Sequence, residues 1–240
     1  MSGSKGNTLA GQRVIVTGAT RGLGRAMVEA FSQSGARVVV HGRTAPQAAA
    51  VAAGLGDGHV AVGGDLLDAA LGGRLAKAAE RGLGGLDALV LNAAVLGPMQ
   101  ALAETDFKAF REVMEVNVDA QLRIFVACLP ALLASRGKVI WLTSGLGRIG
   151  VPRFGAYCAS KHALEGLMKL AAVEHGPSGL TSVAVAPGMV RTEMLKAALL
   201  GGDVSGHTPP EVAGRGFARL LATLGPEHNG KSLDIEPWLA

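Results

Sequence analysis

The sequence of 240 residues contains only two cysteines, and this scarcity excludes several kinds of site. Cys128 and Cys158 have neither the CxxC spacing of a redox motif nor the spacing of metal ligands. We therefore predict no metal site. Reduced and buried thiols are the expected state of both residues, which is typical of a cytoplasmic protein.

Long apolar runs are also missing. No run approaches the 18 apolar residues of a membrane span, so none is predicted. The first residues, MSGSKGNTLAGQR, lack the apolar segment of a secretory signal, and no signal peptide is expected. We expect residues 1–10 to form a flexible tail and residues 11–240 to form one folded domain, without linkers or internal repeats.

Aromatic residues and net charge are both low. The aromatic fraction is 4%, with a single tyrosine, and the formal net charge is +4. Surfaces that bind nucleic acid typically combine clustered basic residues with aromatic ones, and this sequence shows no such pattern. A nucleic acid partner is therefore not predicted.

Short β-branched runs alternate with helical segments along the whole sequence. The predicted strands are residues 12–17, 37–41, 59–63, 86–91, 138–142, 180–186 and 231–236. The predicted helices are residues 25–34, 45–55, 67–81, 105–134, 157–175 and 210–224. Such alternation requires right-handed crossovers and gives a parallel sheet that is covered on both faces. We predict a single-domain α/β fold, a Rossmann-like doubly wound parallel sheet of about seven strands with helices on both faces.

Glycines and polar residues follow most of the predicted strands. In open sheets of this kind a ligand binds outside the carboxyl ends of the strands. The residues that fall at these ends are Gly18, Gly42, Asp65, Asn92, Ser144 and Pro187. Their convergence predicts one functional site at this edge of the sheet.

The loop between the first strand and the first helix, residues 17–24, has the sequence TGATRGLG. Glycines at GxxxGxG spacing allow the backbone to turn sharply and approach a pyrophosphate. The amino terminus of the following helix offers free N–H groups and the positive end of its dipole. We predict a dinucleotide site here rather than a simple tight turn.

The end of the second strand indicates which dinucleotide binds. A site for NAD places an acid there to bind the ribose 2′-hydroxyl, whereas this sequence has His41-Gly42-Arg43 and no carboxylate. Arg43 can bind a 2′-phosphate through two hydrogen bonds, and Arg21 can reach the same group. NADP(H) is therefore the predicted cofactor. The alternative is that both arginines are solvated surface residues. His41 is interpreted as structural.

Tyr157 and Lys161 are four residues apart at the start of a predicted helix, so they share one helix face. A neighbouring ammonium favours the phenolate and lowers the pKa of a phenol from about 10. The Ser144 hydroxyl, at a strand end, can hold the oxygen that the phenol protonates. Although such pairs are common on ordinary helices, the rest of the sequence favours a site that reduces carbonyls.

In combination these motifs resemble those of the short-chain dehydrogenase/reductase family, closely over residues 12–190. The matching features are TGxxxGxG at 17–24, Asn92–Ala93, Asn117, Ser144, YxxxK at 157–161 and Pro187–Gly188. The resemblance implies that Tyr157 is the general acid–base and that Ser144 polarises the substrate carbonyl. It implies that Lys161 binds the nicotinamide ribose and lowers the pKa of Tyr157, and that Asn117 holds a water for proton relay.

The resemblance also implies a set of cofactor-binding residues. Asp65 and Leu66 flank the adenine, Asn92 to Ala94 line the ribose, and Val190 and Thr192 hold the carboxamide. The full set is Gly18, Thr20, Arg21, Gly22, Leu23, Gly24, Arg43, Asp65, Leu66, Asn92, Ala93, Ala94, Tyr157, Lys161, Pro187, Gly188, Val190 and Thr192.

The sequence departs from the family pattern in two places. The usual Asn-Asn-Ala-Gly is Leu91-Asn92-Ala93-Ala94, which removes a hydrogen bond at a strand end. The carboxyl end, LDIEPWLA, lacks the usual Asp-Gly-Gly, which bears on tetramer geometry. A homodimer or homotetramer through the helices of residues 105–134 and 157–175 is the implied assembly.

The main functional hypothesis is NADPH-dependent reduction of a ketone or aldehyde to an alcohol. The alternatives are a 3-oxoacyl-thioester reductase and a non-catalytic NADP(H)-binding sensor. We expect residues 194–207, which contain three glycines, to form a mobile lid. The residues expected to line an apolar substrate pocket, with core packing as the alternative, are Leu146, Phe154, Met189, Met194 and Leu195.

Overall fold

Seven parallel strands form one sheet in the computed structural model of the protein, which describes residues 8–240. The strands are β1 (Arg13–Val16), β2 (Arg37–Gly42), β3 (Val60–Gly63), β4 (Ala88–Leu91), β5 (Lys138–Leu142), β6 (Thr181–Ala186) and β7 (Ser232–Asp234). Their order across the sheet is β3-β2-β1-β4-β5-β6-β7. The strand order reverses between β1 and β4, where sheets of this type form a ligand-binding crevice. The predicted fold class is confirmed.

Within the described residues, eight α-helices cover the sheet. They are α1 (Gly22–Gln33), α2 (Ala45–Gly54), α3 (Leu71–Ala78), α4 (Phe107–Met114), α5 (Ala120–Ser135), α6 (Gly155–His175), α7 (Glu193–Ala198) and α8 (Pro210–Thr223). Helices α1 and α8 pack together on one face of the sheet, and α3, α5 and α6 pack on the other.

The strands separate two hydrophobic cores because neighbouring side chains of a strand point to opposite faces. Val14 and Val16 enter the core beneath α1 and α8, whereas Ile15 between them enters the core beneath α5 and α6. Strands β4 and β6 are buried along their whole length, which explains why their sequences are continuously apolar or small rather than alternating. Among residues 8–240, Trp141 on β5 is the largest fully buried side chain.

The prediction of a flexible tail over residues 1–10 is wrong at Leu9. Residues 1–7 of the predicted tail lie outside the described residues. Leu9 is buried in the core, and its N–H donates to the Ser34 carbonyl over 2.9 Å. The folded part of the chain therefore begins before residue 10, because Leu9 fills a space beneath α1.

The helix predicted over residues 105–134 consists of α4 and α5 joined by a π-helical turn, Glu115–Asp119. Such turns are rare and occur frequently at functional sites. This one turns the buried Asn117 toward the sheet edge. The helix predicted from residue 67 begins only at Leu71, after a turn in which the Asp68 carboxylate accepts from the Ala70 N–H.

The combined helix Phe107–Ser135 is long and apolar enough to cross a membrane by length and composition, with a mean hydropathy of 1.5 over its best window. Polar and charged residues interrupt its apolar positions, so the helix contains no long continuous apolar run. Its inner side packs in the second core through Ile124, Cys128 and Leu132. About a third of that window is buried, 33%, so much of its apolar surface faces outward.

Helix α7 (Glu193–Ala198) overlaps the start of the segment predicted as a lid, residues 194–207. Thr192 begins it by accepting from the Leu195 N–H over 3.3 Å. The segment therefore has regular structure at its start, and the glycines that suggested a loop all follow it: Gly201, Gly202 and Gly206.

Candidate active site

Ser144, Tyr157 and Lys161 come together where β5 ends and α6 begins. The strand ends at Leu142, and Ser144 starts a short 3-10 turn in which its hydroxyl accepts from the Leu146 N–H. The Lys161 ammonium donates to the Leu142 carbonyl over 2.7 Å. Tyr157 lies one turn earlier on α6, and its ring centre is 5.4 Å from Lys161 Nζ. The three groups predicted to act together are therefore neighbours.

The electrostatics of this cluster differ from the expectation that Lys161 lowers the pKa of Tyr157. Desolvation raises the pKa of Tyr157 to about 12, and a hydrogen bond with Ser144 offsets this only in part. Burial lowers the pKa of Lys161 to about 8. The prediction of a lowered pKa for Tyr157 is wrong, because desolvation of the phenolate raises the pKa more than the neighbouring groups lower it. At neutral pH Tyr157 is therefore a protonated phenol, although part of its ring remains accessible.

Asn117 is committed to the backbone of the loop after β4. Its amide oxygen accepts from the Val95 N–H over 2.8 Å, and its amide nitrogen donates to the Val95 carbonyl over 2.9 Å. The same nitrogen donates to the Ser160 hydroxyl, which donates to the Tyr157 carbonyl. Asn117 thus joins this loop to α6 beside the catalytic candidates.

The glycine-rich turn has the geometry that its spacing predicts. Gly18 and Gly22 have φ angles of +65° and +54°, which favour glycine. A Cβ on Gly24 would lie 2.2 Å from the Gly18 carbonyl oxygen, so only glycine permits this close approach of helix and turn. The Leu23 side chain is buried in the core, which leaves its backbone N–H as the group available to a phosphate.

The turn is fastened to the end of β4 by Thr17 and Asn92. The Thr17 hydroxyl accepts from the N–H groups of Asn92 and Ala93 over 2.9 and 3.0 Å. The Asn92 side chain donates back to the carbonyls of Thr17 and Gly18. These bonds hold the two strand ends at the crevice in one arrangement.

Arg21 and Arg43 are exposed at the ends of β1 and β2. Among residues 8–240 neither forms an ion pair with a carboxylate. Thr20 between these ends packs its methyl group against Gly42, where a Cβ would lie 2.4 Å away. Both guanidinium groups therefore remain free to bind an anion at this corner of the sheet.

The other residues expected at the cofactor fall at the same edge. Asp65 is exposed and accepts from the Leu67 N–H, and Leu66 is half-buried behind it. Gly188 follows Pro187 with a φ of +67°. The Val190 side chain is buried. Thr192 packs against Gly22: a Cβ added to Gly22 would lie 3.3 Å from the Thr192 methyl carbon.

The expected substrate residues border the open side of this edge. Met189 and Met194 are 47% and 36% exposed, so core packing does not explain them. Leu146, Phe154 and Leu195 are half-buried. Phe154 forms an isolated bridge with Gln100, which connects the segment before α6 to the loop after β4.

The sequence profile of the short chain dehydrogenase family matches residues 12–200 of the chain. The chain belongs to this family. A 2,5-dichloro-2,5-cyclohexadiene-1,4-diol dehydrogenase of Sphingobium indicum is 34% identical over 193 residues, which cover 80% of this chain and 77% of that protein. An NADPH-dependent pterin aldehyde reductase of Arabidopsis thaliana is 28% identical over 237 residues, which cover 98% and 97%. The structure of a short chain dehydrogenase from Shigella flexneri with NADP has a TM-score of 0.88 at 29% identity and covers 96% and 99%.

These similarities confirm the resemblance to the family, whose members are oxidoreductases, and this short-chain dehydrogenase is one of them.

Three residues that organise the site are not among the site residues predicted from the sequence. Thr17 joins two strand ends, His41 contacts two loops, and the buried Gln121 donates to the Ala93 carbonyl over 2.8 Å. Only Thr17 had a signal, its place before the first glycine. The contacts of the other two join residues that are far apart in the sequence.

Because this dehydrogenase has one tyrosine, the ionisation of Tyr157 can be measured directly. Raising the pH of the native enzyme should produce no phenolate absorbance near pH 10, because desolvation raises the pKa of Tyr157 to about 12. The urea-unfolded chain should titrate at about 10, the ordinary value of tyrosine. Circular dichroism defines the pH range of the native fold. A native midpoint below 10 would contradict this electrostatic description.

Proposed function

We propose that this short-chain dehydrogenase is an NADPH-dependent enzyme that reduces a ketone or aldehyde to an alcohol, reversibly. The observation that supports this most strongly is the meeting of Ser144, Tyr157 and Lys161 at the same edge of the sheet as the glycine-rich turn. Such a cluster can hold and protonate one oxygen atom next to a bound dinucleotide. Bound NADPH supplies the hydride that reaches the carbonyl carbon.

The protein's own residues manage the charge that develops on the carbonyl oxygen. The Ser144 hydroxyl donates a hydrogen bond to this oxygen and orients it. Tyr157 is protonated at neutral pH, and it gives its proton to the oxygen as the negative charge appears. Lys161, held by the Leu142 carbonyl, has two further N–H donors for the ribose hydroxyls of the cofactor. In this assignment Asn117 supports the site through its bonds to Val95 and Ser160.

Cofactor preference is proposed from the charges at the corner formed by β1 and β2. The exposed Arg21 and Arg43 suit a 2′-phosphate, and an acid that would bind a free 2′-hydroxyl is missing from the end of β2. Relatives named or solved with NADPH or NADP support the same preference. Asp65 and Leu66 then border the adenine, Asn92 to Ala94 the ribose, and Val190 and Thr192 the carboxamide.

The substrate class follows from the open side of the site. Met189 and Met194 present accessible thioether side chains there, which suit a small apolar ketone or aldehyde. Relatives named as diol dehydrogenases favour a second candidate, oxidation of a small diol by the same residues in reverse. No arginine cluster for a carrier phosphate stands out in this sequence, so a thioester substrate is less favoured than a small ketone. A non-catalytic sensor would need none of Ser144, Tyr157 and Lys161.

A second copy of this chain is the proposed partner, in a homodimer or homotetramer through the helices of residues 105–134 and 157–175. Val126 on α5 and Val173 on α6 are 57% and 76% exposed, and Leu170 beside Val173 is also exposed. This face offers the apolar area that stable interfaces bury. Both cysteines are free, which supports the proposed cytoplasmic location; Cys128 is buried as predicted, whereas Cys158 is only half-buried. Analytical ultracentrifugation of the purified chain gives the assembly directly.

Replacing Tyr157 by Phe tests the proton donor. We expect kcat for ketone reduction with NADPH to fall by about 10²-fold or more, because general acid catalysis typically contributes 10²–10⁴-fold. NADPH should still bind, as measured by its fluorescence. Cys158→Ser, at the next position of α6, is the control and should keep the wild-type rate. A folded Tyr157→Phe enzyme with near-normal turnover would refute the role of Tyr157.

Replacing Arg43 by Ala tests the recognition of the 2′-phosphate. The KM for NADPH should rise about tenfold or more, since hydrogen bonds to charged groups contribute about 1.5–3 kcal/mol each. The KM for NADH should change little. Arg25→Ala is the matched control, because Arg25 lies on α1 and pairs with Glu29 at the surface. Equal effects of Arg43→Ala on both cofactors would remove the argument for NADPH.

A further inference from the structure

One buried side chain, that of His41, connects two of the loops that border the cofactor. His41 Nδ1 accepts a hydrogen bond from the Gly18 N–H over 3.1 Å, and Nε2 lies 3.0 Å from the Gly64 carbonyl oxygen. Gly18 belongs to the glycine-rich turn after β1, and Gly64 precedes Asp65 after β3. The His41 residue is 2% exposed. The ring therefore lies between two loops that are 46 residues apart in the sequence.

These contacts allow only one form of the ring. An amide N–H can only donate, so Nδ1 must carry a lone pair toward Gly18. A carbonyl oxygen can only accept, so Nε2 must carry the proton toward Gly64. Neutral imidazole with its proton on Nε2 satisfies both loops. The imidazolium ion would place a second N–H against the N–H of Gly18.

The backbone around His41 reinforces the same connection. Its carbonyl accepts from the Ala19 N–H over 2.7 Å, and the Gly42 carbonyl accepts from the Gly64 N–H over 3.0 Å. The Asn92 side chain donates to the Gly18 carbonyl over 3.2 Å. His41 and Asn92 therefore both hold the Gly18 peptide, one at its N–H and the other at its carbonyl.

We propose that His41 is a positioning residue for the dinucleotide: its neutral ring holds the glycine-rich turn and the turn after β3 at the separation that NADPH requires. The inference rests on the proposed function, because it concerns the same cofactor. His41 touches neither phosphate nor adenine in this assignment. It acts through the backbone of Gly18 and Gly64.

The position predicts a pH dependence of cofactor binding. Burial lowers the pKa of His41 below its ordinary value of 6.5, and the charge of Arg74 on α3 lowers it further. The Gly64 carbonyl and Asp65 act in the opposite direction. The ring is therefore neutral at pH 7, and the ordered turn persists there. As the pH falls through the lowered pKa, protonation breaks the bond to Gly18 and NADPH affinity decreases.

A set of His41 variants separates positioning from general stability. His41→Leu loses both ring contacts, and we expect the Kd for NADPH to rise about tenfold or more. In His41→Asn the amide oxygen replaces Nδ1 as the acceptor from Gly18 but the bond to Gly64 is lost, so the rise in Kd at pH 7 should be smaller than in His41→Leu. Relative to wild type, His41→Asn should keep its affinity better toward pH 5. Binding is measured by NADPH fluorescence, without turnover.

His59 offers a matched control in the same chain. Its Nδ1 accepts from the Val38 N–H over 3.2 Å, its Nε2 lies 3.1 Å from the Ser32 hydroxyl, and burial lowers its pKa as well. It lies at the amino end of β3, away from the cofactor loops. His59→Leu should lower the melting temperature while leaving the Kd for NADPH and its pH dependence unchanged.

Nitrogen NMR of the histidine rings provides a second readout. It should report His41 as the neutral Nε2–H form at pH 7; a charged ring or the opposite tautomer overturns the inference. The inference also fails if folded His41→Leu binds NADPH as tightly as wild type, or if His59→Leu weakens binding equally. If the wild-type protein binds neither NADPH nor NADH, the proposed function itself fails.

Discussion

The hydrogen bond from the Lys161 ammonium to the Leu142 carbonyl is the contact on which the site depends. It joins helix α6 to the last residue of β5 over 2.7 Å in a fully buried position. Because Tyr157 lies one turn before Lys161 and Ser144 lies two residues after Leu142, this bond brings the phenol and the hydroxyl together. Without it, α6 could shift along the sheet and the two groups would separate.

Lys161 keeps its charge at neutral pH although it is buried. Burial lowers its pKa from 10.5 to about 8, which corresponds to roughly 3 kcal/mol against the charged form. Because this pKa still lies above 7, the ammonium persists and donates to the Leu142 carbonyl. Tyr157 shows the complementary effect, since the same desolvation keeps its proton in place. At neutral pH the site therefore holds the protonated phenol of Tyr157 next to the charged ammonium of Lys161.

Much of the fold and of the site follows from local patterns in the sequence. The alternation of β-branched and helical segments predicted the sheet, and the glycine spacing at 17–24 predicted a sharp turn, in which Gly18 and Gly22 have positive φ. The direction of the Tyr157 pKa could not be predicted in this way, because it depends on how many distant atoms exclude water. The π-helical turn contains Asn117, whose partners Val95 and Ser160 are distant in the sequence. His41 appeared structural because its two partners, Gly18 and Gly64, are adjacent to it only after folding.

The central claim is that Ser144 and Tyr157 hold one substrate oxygen while Lys161 remains bound to Leu142. A crystal structure of the enzyme with NADP⁺ and an alcohol or ketone ligand tests it most directly. The account predicts that the ligand oxygen lies within hydrogen-bond distance of both the Ser144 hydroxyl and the Tyr157 phenol. A ligand oxygen bound away from these two groups, beside an ordered cofactor, would contradict it.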